Sequence, residues 1–161
     1  MAITYVDIGG IAATRRPDEK LKTMALGSCI GIIAIAPKLG AVGLLHIALP
    51  DSTINLKKAA EKPGYFADTG IPELLRMMKR LGCTGPRDLI IKLAGGAQIL
   101  DKNNTFNIGK RNLLATKKIL WDFRLGPTAM DVGGTISRTV TVDPVTGIVT
   151  LSSPGRGEWQ L

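Results

Sequence analysis

The sequence is poor in the residues that build metal centres and disulfide frameworks. Its 161 residues include two cysteines, Cys29 and Cys83, and a single histidine, His46. Neither Cys-x-x-Cys nor His-Glu-x-x-His occurs, so the sequence predicts no zinc site. Two cysteines without a visible secretory signal argue against a disulfide framework. We interpret Cys83, next to a predicted helix end, as a small buried apolar residue.

Aromatic residues are also scarce, at 4% of the chain, whereas the formal net charge is +8. A basic protein attracts acidic partners, and nucleic acid is the first candidate to consider. Recognition of RNA by base stacking needs aromatic side chains interleaved with basic ones, and the sequence has no such motif. We therefore predict no nucleic-acid partner, and interpret the cations as solvated surface or as a surface for an acidic protein.

The sequence predicts neither a membrane-spanning segment nor a secretory signal. Residues 23–50 are largely apolar, but the turn at residues 37–40 divides them into two runs, each too short to cross a bilayer. The N-terminus has no basic region leading into a leucine-rich core. We expect a cytoplasmic protein without membrane insertion.

The same apolar stretch predicts a β-hairpin that brings Cys29 close to His46. Residues 30–36 and 41–49 are apolar and rich in strand-forming residues, and Pro37-Lys38-Leu39-Gly40 between them has turn chemistry. In an antiparallel pair Cys29 lies roughly opposite His46, which permits a thiol nucleophile with an imidazole base. The alternative is a buried cysteine and a structural histidine. The register stays open, because a one-residue slip turns His46 to the other face.

The remaining pattern predicts a strand-rich α/β domain. Apolar stripes predict two main helices, over residues 65–81 and 107–123, with Asn107 as the N-cap of the second. Strands are predicted over residues 4–13 with a break at Gly9-Gly10, and over 21–26, 88–93, 130–134, 137–142 and 148–151, with a turn at 143–147. Without repeats or a long linker, residues 1–161 are expected to form one single-domain layered α/β sandwich.

Three segments between these elements are interpreted as irregular. Ala94-Gly95-Gly96-Ala97 lacks a complete nucleotide-binding motif, so it predicts close backbone packing. The lysine-rich residues 53–62 are predicted to be a mobile loop that could act as a lid. The tail from Ser152 is predicted to be loosely held.

Short motifs recur in a characteristic order along the chain. They include Thr23, Leu26-Gly27-Ser28-Cys29, and His46 followed by Leu49-Pro50-Asp51-Ser52. Further motifs are Tyr65 with Ala67-Asp68-Thr69, Lys92 with Gly95-Gly96-Ala97, Asn107-Ile108-Gly109 with Arg111-Asn112, and more loosely Asp131 with Gly133-Gly134 and Arg138. In order and spacing the chain resembles the CheD family of bacterial chemotaxis, the chemoreceptor glutamine deamidases, over residues 8–147. The segment from Ser152 departs from the family pattern.

The resemblance implies an amidohydrolase that converts glutamine side chains of methyl-accepting chemotaxis receptors to glutamate. It places the nucleophile at Cys29, the general base at His46 and the orienting residue at Thr23, with no metal and no cofactor. It also implies a fold similar to the deamidase domain of cytotoxic necrotizing factor toxins. In organisms that have it, CheC, the phosphatase of the response regulator, is an implied partner.

The chemistry of these residues agrees with that assignment. An imidazolium at His46 would hold Cys29 as a thiolate, and backbone N–H groups at Ser28 and Cys29 would form an oxyanion hole. We expect Gly27, Ser28 and Ser52 to bind substrate, although Ser52 could instead cap the Pro50-Asp51 turn.

Two alternatives to the deamidase remain: a non-catalytic protein that modulates receptors and CheC, and a charge-driven nucleic-acid binder. A monomer is the default, because no exposed apolar repeat is visible.

Overall fold

The computed structural model describes residues 1–99 and 106–161, which form ten strands and three α-helices. The strands are β1 (Ala2–Tyr5), β2 (Ile11–Thr14), β3 (Glu19–Leu26), β4 (Ile30–Ala36), β5 (Ala41–Ile47), β6 (Ile90–Gly95), β7 (Pro127–Val132), β8 (Arg138–Val142), β9 (Val149–Ser153) and β10 (Gly157–Gln160). The helices are α1 (Leu56–Glu61), α2 (Ala67–Arg80) and α3 (Ile108–Asp122). Within these residues no helix has the length and apolar character needed to span a membrane.

The strands form two sheets of five. The first sheet has the order β1-β3-β8-β9-β10 and the second has the order β2-β5-β4-β6-β7. The β1–β3 and β6–β7 pairs are parallel and the other pairs are antiparallel. A strand-rich, mixed α/β fold with two main helices, α2 and α3, is therefore confirmed.

Strand β4 explains how the layers stack. All seven of its residues are buried, because one face of the strand packs on the first sheet and the other packs on the helices. Ile33 and Ile35 contact the apolar core between the two sheets, whereas Ile30 and Ile32 contact the core beneath α2 and α3. A strand covered on both faces has a continuous apolar sequence rather than an alternating one. The second sheet is thus the middle layer.

The predicted hairpin is confirmed. Strands β4 and β5 pair antiparallel, and Gly31 lies directly opposite His46. Gly40 closes the connection with a φ of 61°, a backbone conformation that glycine adopts without the strain a side chain would bring. The turn at residues 143–147 is confirmed too, since Gly147 N–H donates to Asp143 O between β8 and β9.

Two local predictions were wrong, and a third was right only in part. The predicted loop at residues 53–62 contains α1, and Lys62 Nζ lies 2.9 Å from Asp7 Oδ2. The opening strand is broken at Gly9-Gly10 as predicted, but its two halves belong to different sheets, because the chain turns at Gly9, whose φ is 77°. The tail contains β10, which pairs with β9, and Trp159 Nε1 donates to Asp131 Oδ2 at 2.8 Å.

Asn107 occupies the N-cap position of α3, but its side chain does not cap the helix. Its φ is 55°, and its Oδ1 accepts a hydrogen bond from Gln98 Nε2 at 3.1 Å. The side chain therefore ties the start of α3 to the segment that follows β6.

Candidate active site

Cys29 and His46 lie on the same side of the second sheet. Cys29 occupies the turn between β3 and β4, two residues before Gly31, and Gly31 lies opposite His46. Residues two apart on a strand face the same way, and diagonal neighbours on paired strands remain within reach of each other. Cys29 packs against the core between the sheets, and His46 is buried. The thiol and the imidazole therefore share the side facing the first sheet.

Thr23 determines which nitrogen of His46 carries the proton. Its Oγ1 lies 2.6 Å from His46 Nδ1 and 2.6 Å from Val6 O. A backbone carbonyl only accepts, so the single hydroxyl proton of Thr23 must be donated to Val6. The hydroxyl oxygen then accepts from Nδ1–H, which leaves the lone pair on Nε2 of neutral His46. Thr23 and Val6 together set the tautomer that a general base requires.

Nε2 of His46 is buried and has no hydrogen-bond partner within residues 1–99 and 106–161. Burial lowers the pKa of His46 from 6.5 to about 4; the charge of Asp7 opposes this shift and that of Lys62 adds to it. At neutral pH the imidazole is therefore uncharged, and its Nε2 is an unprotonated base.

Burial raises the pKa of the Cys29 thiol, and the opposing effect of its own backbone N–H is smaller. The thiol is therefore protonated at neutral pH. The expectation of a resting thiolate–imidazolium pair is not supported, because burial disfavours the charged form of each partner. A neutral thiol and a neutral base on the same side of the sheet are instead compatible with proton transfer during nucleophilic attack.

The backbone around Cys29 is held by neighbouring backbone N–H groups. Gly96 N–H donates to Cys29 O and Ala97 N–H donates to Gly27 O, both at 2.8 Å. A Cβ atom at Gly95 would lie 2.2 Å from Cys29 O, and Gly95 has a φ of +110°. The prediction of close backbone packing at residues 94–97 is therefore confirmed.

Strand β3 reaches the site through a bulge. The register against β8 shifts between Thr23 and Leu26, and Ala25 has a φ of 56°. Both Thr23 and Leu26 are buried, whereas Met24 between them is exposed. Thr23 points inward by the regular alternation from Leu21, and the bulge after it turns Leu26 inward as well and redirects the chain into the Cys29 turn.

A mostly apolar cavity of about 570 Å³ borders Cys29. Its lining consists of Gly27, Ser28, Cys29, Ala97, Gln98, Ile99, Phe106, Ile108 and Gly109. The backbone N–H groups of Ser28 and Cys29 donate to no other residue in the part of the chain that the structure describes. Two of the predicted substrate-binding residues, Gly27 and Ser28, therefore adjoin both the thiol and an open space.

Ser52 is placed differently. Its N–H donates to Asp68 Oδ1 at 2.9 Å and its hydroxyl donates to Asp68 Oδ2 at 2.7 Å. Ser52 is buried and does not line the cavity beside Cys29. These contacts join the segment that follows β5 to the first turn of α2.

Cys83 lies apart from Cys29. It is buried in the core between the second sheet and the helices, as predicted, and both cysteines are free thiols.

Among the described residues, no three His, Cys, Asp or Glu side chains cluster closely enough to hold a metal ion.

Sequence reasoning gave no role to Asn112. It lies on the buried stripe of α3 with Gly109, Thr116 and Leu120, and its side chain is fully inaccessible to solvent. Asn112 Nδ2 donates to Ser28 O at 2.9 Å and to Ala48 O at 3.0 Å. A polar residue on the apolar stripe of an amphipathic helix was the available signal.

Comparison with known proteins found a matching family model and similar full-length relatives. A family model described as CheD chemotactic sensory transduction matches residues 48–153. A probable chemoreceptor glutamine deamidase CheD of Syntrophotalea carbinolica is 48% identical over 100% of both chains. A probable chemoreceptor glutamine deamidase CheD 1 of Syntrophus aciditrophicus is 39% identical over 96% of both chains.

Among solved structures, a Neisseria meningitidis protein of the DUF152 family is 11% identical over 84% of this chain and 64% of that chain. Its TM-score is 0.44, which is too low to carry a conclusion. The likeness to the cytotoxic necrotizing factor deamidase domain stays a prediction.

Proposed function

The chain belongs to the CheD family, and we propose that it hydrolyses glutamine side chains of chemoreceptors to glutamate with Cys29 as the nucleophile. His46 is the general base and Thr23 orients it. The observation that carries this proposal is the hydrogen-bond chain from His46 Nδ1–H to Thr23 and on to Val6 O, which leaves Nε2 as the base. The substrate class follows from the names of the relatives.

The first half of the reaction forms a thioester and releases ammonia. His46 Nε2 takes the proton of the Cys29 thiol as Sγ attacks the glutamine carboxamide carbon. The carbonyl oxygen becomes an oxyanion beside the backbone N–H groups of Ser28 and Cys29. The imidazolium then gives its proton to the departing nitrogen, and the C–N bond breaks to leave ammonia and a Cys29 thioester.

The second half regenerates the thiol. Water enters where ammonia left, and His46 Nε2 removes a proton as the water oxygen attacks the thioester carbonyl. Collapse of the intermediate breaks the C–S bond, and His46 returns the proton to Cys29 while the product leaves as glutamate. Thr23 stabilises the imidazolium formed in each half, because Nδ1–H donates to it throughout.

The resting charge state suits this sequence of proton transfers. Both partners are uncharged before attack, so the imidazolium exists only while an anionic thiolate or oxyanion is present. The negative charge of Asp7 favours the protonated form of His46 and therefore supports this transient charge. Thiols are oxidised mainly as thiolates, so a Cys29 that is protonated at rest is also less easily oxidised.

Access to the thiol is through the cavity that Gly27 and Ser28 help to line. Its apolar lining suits the methylene groups of a glutamine side chain and the neighbouring side chains of a receptor segment. The net charge of +8 suits a substrate rich in acidic residues. We further infer a cytoplasmic monomer, with CheC as a second partner.

The testing experiment measures ammonia release from a purified chemoreceptor cytoplasmic fragment, with peptide mass mapping of the fragment afterwards. Wild type should release ammonia and convert specific glutamines to glutamate, whereas Cys29→Ala should do neither. Cys83→Ala is the matched control, because it removes the other thiol from the opposite side of the second sheet, and it should retain activity. Receptor binding without ammonia release by the wild type would instead support the non-catalytic alternative.

A further inference from the structure

We propose that Asn112 is a positioning residue that aims the Cys29 N–H at the substrate oxyanion. This inference rests on the proposed function, and it gives a role to a motif residue that the mechanism does not otherwise use. Asn112 acts through the backbone of the Ser28–Cys29 peptide and has no direct contact with the thiol among its hydrogen bonds.

The contact itself is well defined. Asn112 Nδ2 donates to Ser28 O at 2.9 Å and to Ala48 O at 3.0 Å, and the side chain is fully buried. An amide NH₂ group has two hydrogens, so these two carbonyls use both of its donors. Both partners are carbonyl oxygens, which only accept hydrogen bonds. The nitrogen of the Asn112 amide, and not its oxygen, must therefore face them. A buried side chain with both donors committed has little freedom to move.

The Ser28 carbonyl determines the direction of the Cys29 N–H. The two groups belong to one planar peptide unit, and this bond is trans. In a planar trans peptide the C=O and N–H point in opposite directions. Holding Ser28 O against the Asn112 amide therefore fixes the direction of the Cys29 N–H, which points away from that amide group. Cys29 itself borders the cavity through which substrate would reach the thiol. A backbone N–H of fixed direction on the nucleophile itself can serve as an oxyanion-hole donor.

Among the described residues, Asn112 is the one whose side chain holds a carbonyl of this turn. The carbonyls on either side of the Ser28–Cys29 peptide, those of Gly27 and Cys29, accept from the backbone N–H groups of Ala97 and Gly96. Within residues 1–99 and 106–161, only the middle carbonyl accepts from a side chain. A substitution of Asn112 can therefore release the Ser28 carbonyl while the flanking backbone contacts remain.

The hydrogen bond from Asn112 to Ala48 O connects the Cys29 turn with β5, the strand that carries His46. Ile30 pairs with Ile47 at the end of the β4–β5 ladder, and Ala48 is the next residue on the β5 side. Asn112 joins Ser28 O and Ala48 O just beyond the last paired residues. It therefore fixes the turn relative to the His46 strand where the ladder no longer does so.

The test compares Asn112→Ala and Asn112→Ser with Thr116→Val. Thr116 lies one turn further along the same buried stripe, and its hydroxyl has no partner within residues 1–99 and 106–161. Each variant, in the full-length chain, is assayed for kcat and KM on the receptor fragment, for thermal unfolding and for the rate at which iodoacetamide alkylates Cys29. Alkylation reports on the thiol and its base but forms no oxyanion.

Asn112→Ala should lower kcat by about 100-fold, as loss of one oxyanion-hole donor does, with KM changed by less than about threefold. Alkylation of Cys29 should stay within about threefold of wild type, because His46 and Thr23 are untouched. Asn112→Ser keeps one donor and should give an intermediate kcat. Thr116→Val should match wild type in all four measurements.

Other outcomes overturn the inference. A kcat for Asn112→Ala within about threefold of Thr116→Val would show that the amide does not aim the N–H. An equal fall in kcat and alkylation, or failure of both Asn112 variants to fold, would make Asn112 a structural residue only. A wild type that releases no ammonia removes the proposed function together with this inference, whereas an active wild type alongside an equally active Asn112→Ala removes the inference alone.

Discussion

Acidification should destabilise this protein through one identifiable side chain. The folded protein lowers the pKa of His46 from 6.5 to about 4, chiefly by burial. The unfolded chain therefore binds more protons than the folded one between these two values. The stability contribution of neutral His46 is complete above pH 6.5 and is lost as the pH falls toward 4. Stability should thus rise with pH across this window.

The size of the effect follows from the shift in pKa. Each pKa unit corresponds to about 1.36 kcal/mol, so the full shift to about 4 is worth about 3 kcal/mol. About 2 kcal/mol of this should already be lost between pH 7 and pH 5, where ordinary carboxylates remain mostly ionised. A domain has a total stability of about 5–15 kcal/mol, so the loss should be easily measured.

Two assays test this reasoning. Since His46 is the only histidine, its imidazole gives one set of NMR signals, and these should titrate near pH 4. Urea unfolding of wild type should lose about 2 kcal/mol from pH 7 to pH 5, whereas His46→Gln should change little. An imidazole that titrates at or above 6.5, or equal pH dependence in both proteins, would refute the account of His46.

Three substitutions extend the test to the surrounding residues. Thr23→Val leaves a buried N–H of His46 unpaired, so it should cost about 1–3 kcal/mol in urea unfolding and lower kcat by about 100-fold or more, whereas Thr23→Ser should retain most activity. Gly95→Ala should destabilise by about 2 kcal/mol or more in the same assay, because its Cβ would lie 2.2 Å from Cys29 O at a φ of +110°; unchanged stability would contradict the packing described. Ser52→Ala should lower the melting temperature but leave KM for receptor within about twofold, since its hydroxyl bonds to α2 rather than facing the cavity; a large rise in KM would instead make Ser52 a substrate-binding residue.

The hairpin could be predicted from the sequence because the residues that specify it are close together in the chain. Two apolar runs on either side of a Pro-Lys-Leu-Gly turn specify β4 and β5, and strand spacing then places Cys29 and His46 on the same side of the sheet. The amphipathic stripes of α2 and α3 are local in the same sense. In each case the residues that specify the element lie within it.

Sheet membership could not be predicted in this way. β1 pairs with β3 in the first sheet, whereas β2 joins β5 in the second, although only a few residues separate β1 from β2. Strand periodicity shows which residues share a face but says nothing about the partner strand. The tail was misjudged for the same reason, because β10 is stabilised by pairing with β9 and by the contact of Trp159 with Asp131.

Within the site, the residue types were visible but the charge states were not. Thr23 contacts His46, and Cys29 lies on the same side of the second sheet as His46, yet the expected imidazolium depends on burial, which spacing does not report. Asn112 was missed because a polar residue in a helix normally faces solvent. Its role is visible only once α3 is packed against the Cys29 turn.

The most direct test of the central claim is to trap the thioester. Wild type mixed with the receptor fragment is quenched with acid within one turnover, and the digested mixture is analysed by mass spectrometry. The account predicts a receptor glutamine peptide, less ammonia, joined to the peptide that contains Cys29, and no such adduct with Cys29→Ala. Undiminished glutamate formation by Cys29→Ala, or an adduct on Cys83 instead, would contradict it.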